Sequence, residues 1–238
     1  MNMISGKIFS LTGFFISMVL CGIAQDADKL ITRVKNKLNT VSDYTAEGIL
    51  STDVSFMKVP ESEVTVYFKY PDKFKIKKHD GISVVPKGGI SINLNSLFNG
   101  NAFATVSAGF STLDNKKVAV VKLLPLDESG EVVISTLYID EKDALIRKAS
   151  TTTRENGTYE MEMTYGKYAN WGLPDKVIFL FNIKDYKLPK GVTFEYDTGE
   201  KVAGGKEKEK KGRISISYKK YVINKGLPDN VFFERTNY

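Results

Sequence analysis

The chain's 238 residues carry 34 Lys and Arg against 28 Asp and Glu, a formal net charge of +6, and 42% of them are hydrophobic. That length and apolar content suit one large domain or two small ones and exclude a disordered chain. A single cysteine and a single histidine exclude a disulfide framework, histidine- or cysteine-rich metal sites and paired-histidine catalysis.

The first residues predict export. Lys7 precedes an apolar run, Ile8 to Leu20, and the small residues Gly22 and Ala24 occupy the positions that a signal peptidase reads. The run is shorter than the roughly 20 residues that cross a bilayer as a helix, so residues 1–24 are expected to be a cleaved signal peptide. Cys21 offers a less favoured alternative, a lipid anchor, but the large branched Leu20 stands where a lipoprotein signal has a small residue.

Next, Leu30, Ile31, Val34, Leu38 and Val41 recur at helical spacing, with Lys29, Arg33, Lys35 and Lys37 around them. This predicts an amphipathic helix with one face to bury, its start capped by Asp26 or Asp28. From Tyr44 the period changes to two. Val64, Val66, Phe68 and Tyr70 alternate with Glu63, Thr65, Tyr67 and Lys69, and after Pro71-Asp72 the residues Phe74 and Ile76 alternate with lysines. That predicts a hairpin with one dry and one wet face. Further strands are expected near residues 82–85, 89–93, 117–124, 131–140, 144–152, 158–167, 176–183, 192–196 and 213–224. Strands joined by turns such as Glu155-Asn156-Gly157 form a meander that curls into a barrel or half-barrel.

Residues 95–112 break the pattern. Leu97, Phe98, Phe103, Val106 and Phe110 lie among Gly, Ala, Ser and Asn without sustained alternation, which predicts a loop or short helix on the core, or a mobile apolar lid. Residues 199–213 mix Lys201, Lys206, Lys208, Lys210, Lys211 and Arg213 with Glu200, Glu207 and Glu209 and are expected to form a flexible charged hairpin loop. No aromatic residue interleaves with that charge, so nucleic acid is not an expected partner. An internal echo is also present. Tyr165-Gly166-Lys167-Tyr168, leading to Gly172-Leu173-Pro174-Asp175, parallels Tyr218-Lys219-Lys220-Tyr221, leading to Gly226-Leu227-Pro228-Asp229, and is expected to be a repeated corner.

Chemistry-bearing constellations are scarce. His79 lies in a charged turn, and Glu160 and Glu162 alternate with Met161 and Met163 as on an outward strand face. Neither a glycine-rich phosphate loop nor zinc-ligand spacing occurs. No catalytic residue, metal or cofactor is expected. What stands out is aromatic surface, with 14 Phe and 12 Tyr.

The order of elements resembles the LolA-like outer-membrane lipoprotein carriers of Gram-negative bacteria. The residues that carry the likeness are the helix ending near Val41-Ser42-Asp43-Tyr44, the strand with Ala46-Glu47-Gly48, the hairpin Tyr67 to Ile76, and Gly226-Leu227-Pro228-Asp229-Asn230-Val231-Phe232. The resemblance implies a mostly β (α+β) fold, a curved antiparallel sheet or half-barrel covered by an N-terminal helix and a short helical or loop lid, with residues 25–238 as one domain. It also implies a periplasmic function, in which an apolar cavity takes up lipoprotein acyl chains or another lipid. In that family an arginine latches the lid where this chain has Tyr70.

On this reading the cavity is lined by Val64, Val66, Phe68, Tyr70, Phe74 and Ile76, and the lid carries Leu97, Phe98, Phe103 and Phe110. The expected partners are lipid acyl chains, an inner-membrane donor and an outer-membrane acceptor, and the protein is expected to be a monomer. The alternative is an envelope sensor or binding module of the same fold that recognises a protein or lipid without transport.

Overall fold

A computed structural model describes residues 26–54, 57–79, 97–98, 102–127, 129–182 and 211–232. The helical stripe becomes α1, residues 26–38, and buries Ala27, Leu30, Ile31, Val34 and Leu38. The period-two segments become strands: β1 (Asp43–Val54), β2 (Met57–Lys69), β3 (Lys73–Lys78), β4 (Phe103–Leu113), β5 (Lys116–Pro125), β6 (Val132–Asp140), β7 (Leu145–Thr153), β8 (Gly157–Thr164), β9 (Lys176–Asn182) and β10 (Lys211–Ile223). They form one curved, unclosed sheet of ten antiparallel strands in the order β3-β2-β1-β10-β9-β8-β7-β6-β5-β4. A three-strand meander thus ends at one edge, the chain passes to the opposite edge, and a second meander returns until β10 pairs with β1.

One face of the sheet and the stripe of α1 share a single core. Val64, Val66 and Phe68 on β2, Val121 and Leu123 on β5, Leu137 and Ile139 on β6, Met161 and Met163 on β8, Val177 and Phe179 on β9, and Ile214 and Ile216 on β10 all belong to it. Alternation predicts this well, because period-two apolar residues can be buried together only on one side of a pleated strand. Gly48 sits where β1 shifts register against β10, and a Cβ there would meet the Ser217 carbonyl oxygen at 2.7 Å. The strand can approach its neighbour so closely only as glycine.

Two expectations change. Residues 103–113 are neither loop nor helix but the edge strand β4, paired with β5. Its alternation is concealed by a register shift between Ser107 and Phe110, with Gly109 at φ +79°, so that positions of opposite sequence parity, Phe103 opposite Pro125 and Phe110 opposite Ala119, come to share one face. The charged loop expected over 199–213 ends sooner, since β10 begins at Lys211; residues 199–210 lie outside the described residues. The strands expected near 82–85, 89–93 and 192–196, and the expected signal segment 1–24, also lie outside them.

The echo is a real structural repeat. Gly172 and Gly226 both adopt positive φ, +68° and +78°, the conformation that glycine takes without a Cβ penalty. A 3-10 turn precedes Gly172, at Ala169–Trp171, whereas one follows Gly226, at Asp229–Phe232. The corners also meet, for the Tyr168 and Tyr221 rings stack edge to face with centroids 4.9 Å apart, and the Tyr221 hydroxyl donates to the Pro174 carbonyl at 2.8 Å.

Candidate functional site

The sheet's inner face carries the apolar core of the described residues, so the candidate site is built from it outward. Its middle is closed by α1. Val66 and Phe68 are 0% exposed and Val64 1%, so no water-sized space touches them in this state. Tyr44, Phe68, Tyr168, Tyr218 and Tyr221 stack into one end of the core, with centroid separations of 4.9–5.3 Å. Burial pushes the phenols of Tyr44, Tyr218 and Tyr221 well up, which keeps that end neutral and apolar.

The core residues are only partly buried toward the two edges, β3 and β4, between which the sheet does not close. Phe74 and Ile76 on β3 pair with Phe68 and Val66 and are only partly buried. From the opposite edge Phe103 reaches the same core, and Leu97 and Phe98, the described part of the connection between the edges, pack against it too. The Phe98 and Phe103 rings lie 6.2 Å apart, and the Lys35 ammonium of α1 stands 5.5 Å from the Phe103 centroid. The structure therefore gathers Val64, Val66, Phe68, Phe74, Ile76, Leu97, Phe98 and Phe103 of the expected residues around one core, the first three sealed and the rest at the gap.

Two expected residues stand apart. Tyr70 lies in the β2–β3 turn, just before a cis Tyr70-Pro71 bond, and is 50% exposed. Its side chain follows the turn, not the pleat, so the alternation that places Phe68 inside does not extend to it. Phe110 is 56% exposed, with the Lys117 ammonium 3.7 Å from its ring centroid. Although it pairs with the core residue Ala119, it is not among the side chains packed on the core.

Sequence reasoning missed how α1 is held. Its end is fixed by Asn224, whose amide donates to the Thr40 carbonyl and whose side-chain oxygen accepts from the Ser42 N–H, each at 2.8 Å. The buried Asp43 carboxylate accepts the Lys225 and Gly226 N–H groups at 3.0 and 3.2 Å. Along the helix body, Arg33 donates to the Lys142 carbonyl and Lys37 to the Asp143 carbonyl. The helix is thus pinned at residues 40–43 and otherwise rests on apolar packing and two exposed bonds. The Asn following Ile223 was the available signal, since Asn tolerates positive φ, here +55°, and bonds local backbone.

Outside this region, polar clusters have structural partners. Glu160 and Glu162 flank the Lys148 ammonium at 3.0 and 3.7 Å. Burial opposes the charge on Lys148, but these two carboxylates hold its pKa above the usual lysine value. His79 is exposed and hydrogen-bonds Thr65 at 2.8 Å. An open depression of about 230 Å³ lies on the sheet's other face, lined by Ser51, Asp53, Arg213, Ser215 and neighbours, and is separate from the apolar core.

Compared by sequence, the chain matches no family model and no curated protein. Solved structures do match. A DUF1329 family protein from Desulfovibrio piger aligns with a TM-score of 0.55 at 11% identity, over 89% of this chain and 97% of its own. A domain named for outer-membrane lipoprotein sorting, from Vibrio parahaemolyticus, gives 0.57 at 8% identity over 88% and 97%. A LolA superfamily protein from Nitrosomonas europaea gives 0.54 at 10% identity over 85% and 97%. At such identity the likeness is one of architecture: the chain has the LolA-like fold.

Proposed function

We propose that this protein is a periplasmic carrier that shelters acyl chains, those of lipoproteins, against the inner face of its sheet and moves them toward the outer membrane. The observation that carries the reading is the continuity of the apolar surface from the sealed core to the gap between β3 and β4, where Phe74, Ile76, Phe98 and Phe103 remain partly exposed. The LolA-like fold and the name of the Vibrio parahaemolyticus neighbour support it.

Burying a saturated chain is worth about 0.8 kcal/mol per methylene, or about 12 kcal/mol for sixteen carbons. Only an apolar surface of this kind competes with a bilayer for that energy. Because Val64, Val66 and Phe68 are sealed, the chain enters at the gap and reaches them as α1 swings away from the sheet about its pinned end. The helix packing lost on opening weakens the net affinity, and a carrier that must release its cargo requires such weakening. Residues 1–24 serve as the export signal, and an inner-membrane donor and an outer-membrane acceptor load and unload the site.

Native mass spectrometry of the protein isolated from the cell envelope tests this. Adducts with the mass of acylated lipid or lipoprotein support the carrier. A lipid-free protein that captures a membrane regulator instead supports the second reading, a binding module, which the sealed state of Val66 and Phe68 favours.

A further inference from the structure

Charge is distributed very unevenly between the two sides of the sheet. On the outer side acids and bases are mixed and several are joined: Lys148 pairs with Glu160 and Glu162, Lys219 with Glu63, and Lys69 and Lys73 with Asp229. At regular paired positions of the described strands the inner side carries two charged side chains, both lysines toward the gap. Lys78 on edge β3 lies opposite the core residue Val64, and Lys117 on β5 shares its face with Ala119 and Val121. The helix adds a third, Lys35, whose ammonium stands 5.5 Å from the Phe103 centroid, as that of Lys117 stands 3.7 Å from the Phe110 centroid. None of the three is ion-paired with a described carboxylate. Residues 80–102, which connect β3 to β4, contain one acid and one base, Asp80 and Lys87, so they leave the charge balance unchanged.

We propose that the gap takes a second class of cargo, acyl lipids with an anionic headgroup, and that Lys35 contacts the headgroup. The sign of the charge selects the occupant. A cationic headgroup meets only like charge there, and a neutral one leaves the ammonium groups unpaired, whereas an anion is attracted by all three. Lys35 is best placed for contact because it is half-buried and stands over Phe103, whose ring lies 6.2 Å from that of Phe98 at the entrance to the core. An ammonium over a ring face turns part of its N–H donors to the ring and keeps the rest for an anion. Phe103 and Phe110 are seven residues apart on β4, ~23 Å at about 3.3 Å per residue. A headgroup held at Lys35 therefore lies far from Lys117, which serves as the distant control.

This inference rests on the proposed sheltering of acyl chains and adds the headgroup to it. The hydrocarbon supplies most of the affinity but carries no information about its polar end. Discrimination between lipids of equal chain length must then come from charge at the mouth.

Calorimetric titration of the purified protein with palmitoyl lysophosphatidylglycerol and palmitoyl lysophosphatidylcholine, each below its micelle-forming concentration, tests the proposal. The expected result is a preference of at least about 10-fold for the anionic lipid. That preference should fall at about 1 M salt, where charges are screened within about 3 Å. Lys35→Gln should cut it about 5-fold, and Lys117→Gln by less. Equal affinities of the wild type for the two lysolipids, or a preference that salt leaves unchanged, overturn the proposal without requiring any variant to fold. So does a loss in Lys117→Gln as large as in Lys35→Gln. If an acylated lipopeptide still binds in those cases, the carrier reading stands and the headgroup site alone fails; if neither the lysolipids nor the lipopeptide bind, both fail.

Discussion

At the residue scale, a cross-strand conflict has been resolved by one carboxylate. Lys69 and Lys73 are directly opposite on β2 and β3, a like-charge pair that weakens a hairpin. Asp229 bridges them, accepting from Lys69 at 2.6 Å and Lys73 at 2.9 Å. Hydrogen bonds from Lys69 and then Lys73 hold its carboxyl at about 2, below the roughly 3.9 of an unfolded aspartate. A depressed folded pKa stabilises above the unfolded value, and that contribution disappears as pH falls through about 2. Wild type should therefore exceed Asp229→Asn in stability by a constant margin above about pH 5. Denaturant melts should show the two converging toward pH 2, and a pH-independent gap would contradict the assignment.

The core and rim differ at this scale as well. Phe68→Ala, at a sealed position, should cost about 3–5 kcal/mol in chemical denaturation, whereas Phe110→Ala should cost under about 0.5 kcal/mol. Equal losses would mean that Phe110 is buried in solution. At Gly48, the 2.7 Å approach to Ser217 oxygen leaves no room for a methyl group. Gly48→Ala should lower stability by about 1–3 kcal/mol.

At the element scale, the legible parts are those where one rule governs. The β2–β3 hairpin and α1 could be read because each has one buried face and a regular period. By contrast, β4 was not legible, because its half-buried positions after Phe103 are the polar Thr105 and Ser107 while Val106 faces out, and its bulge breaks the period near Gly109. A better signal lay after it: Asp114 and Asn115, at φ +48° and +61°, make the two-residue hairpin turn that these residue types favour. The anchor at the end of α1 was equally hidden, since Asn224 and Thr40 are distant in sequence and only the pairing of β10 with β1 brings them together. Asn224→Ala removes the bonds to Thr40 and Ser42 and should cost about 1–2 kcal/mol. It should also speed hydrogen exchange at residues 39–43 more than in β5 or β6; uniform acceleration would deny that Asn224 anchors this end of the helix.

At the scale of the whole molecule, the resemblance anticipated the curved sheet and its helical cover but not the state of the site. Alternation tells which side chains face inward, and cannot tell whether they meet a cavity or one another. Here Val64, Val66 and Phe68 are sealed in the core that they share with α1, while Phe74, Ile76, Leu97, Phe98 and Phe103 are only partly buried against it. The proposed carriage would require the helix and sheet to part, the energy for parting coming from the hydrocarbon that replaces the helix contacts.

The most direct measurement is the affinity of the purified protein for a synthetic triacylated lipopeptide beside the same peptide without acyl chains, by fluorescence anisotropy. Preference for the acylated form by at least about 100-fold, equivalent to ~2.7 kcal/mol, is the expected result, accompanied by faster exchange of the α1 amides. Equal affinities, or no binding of either, would contradict the account.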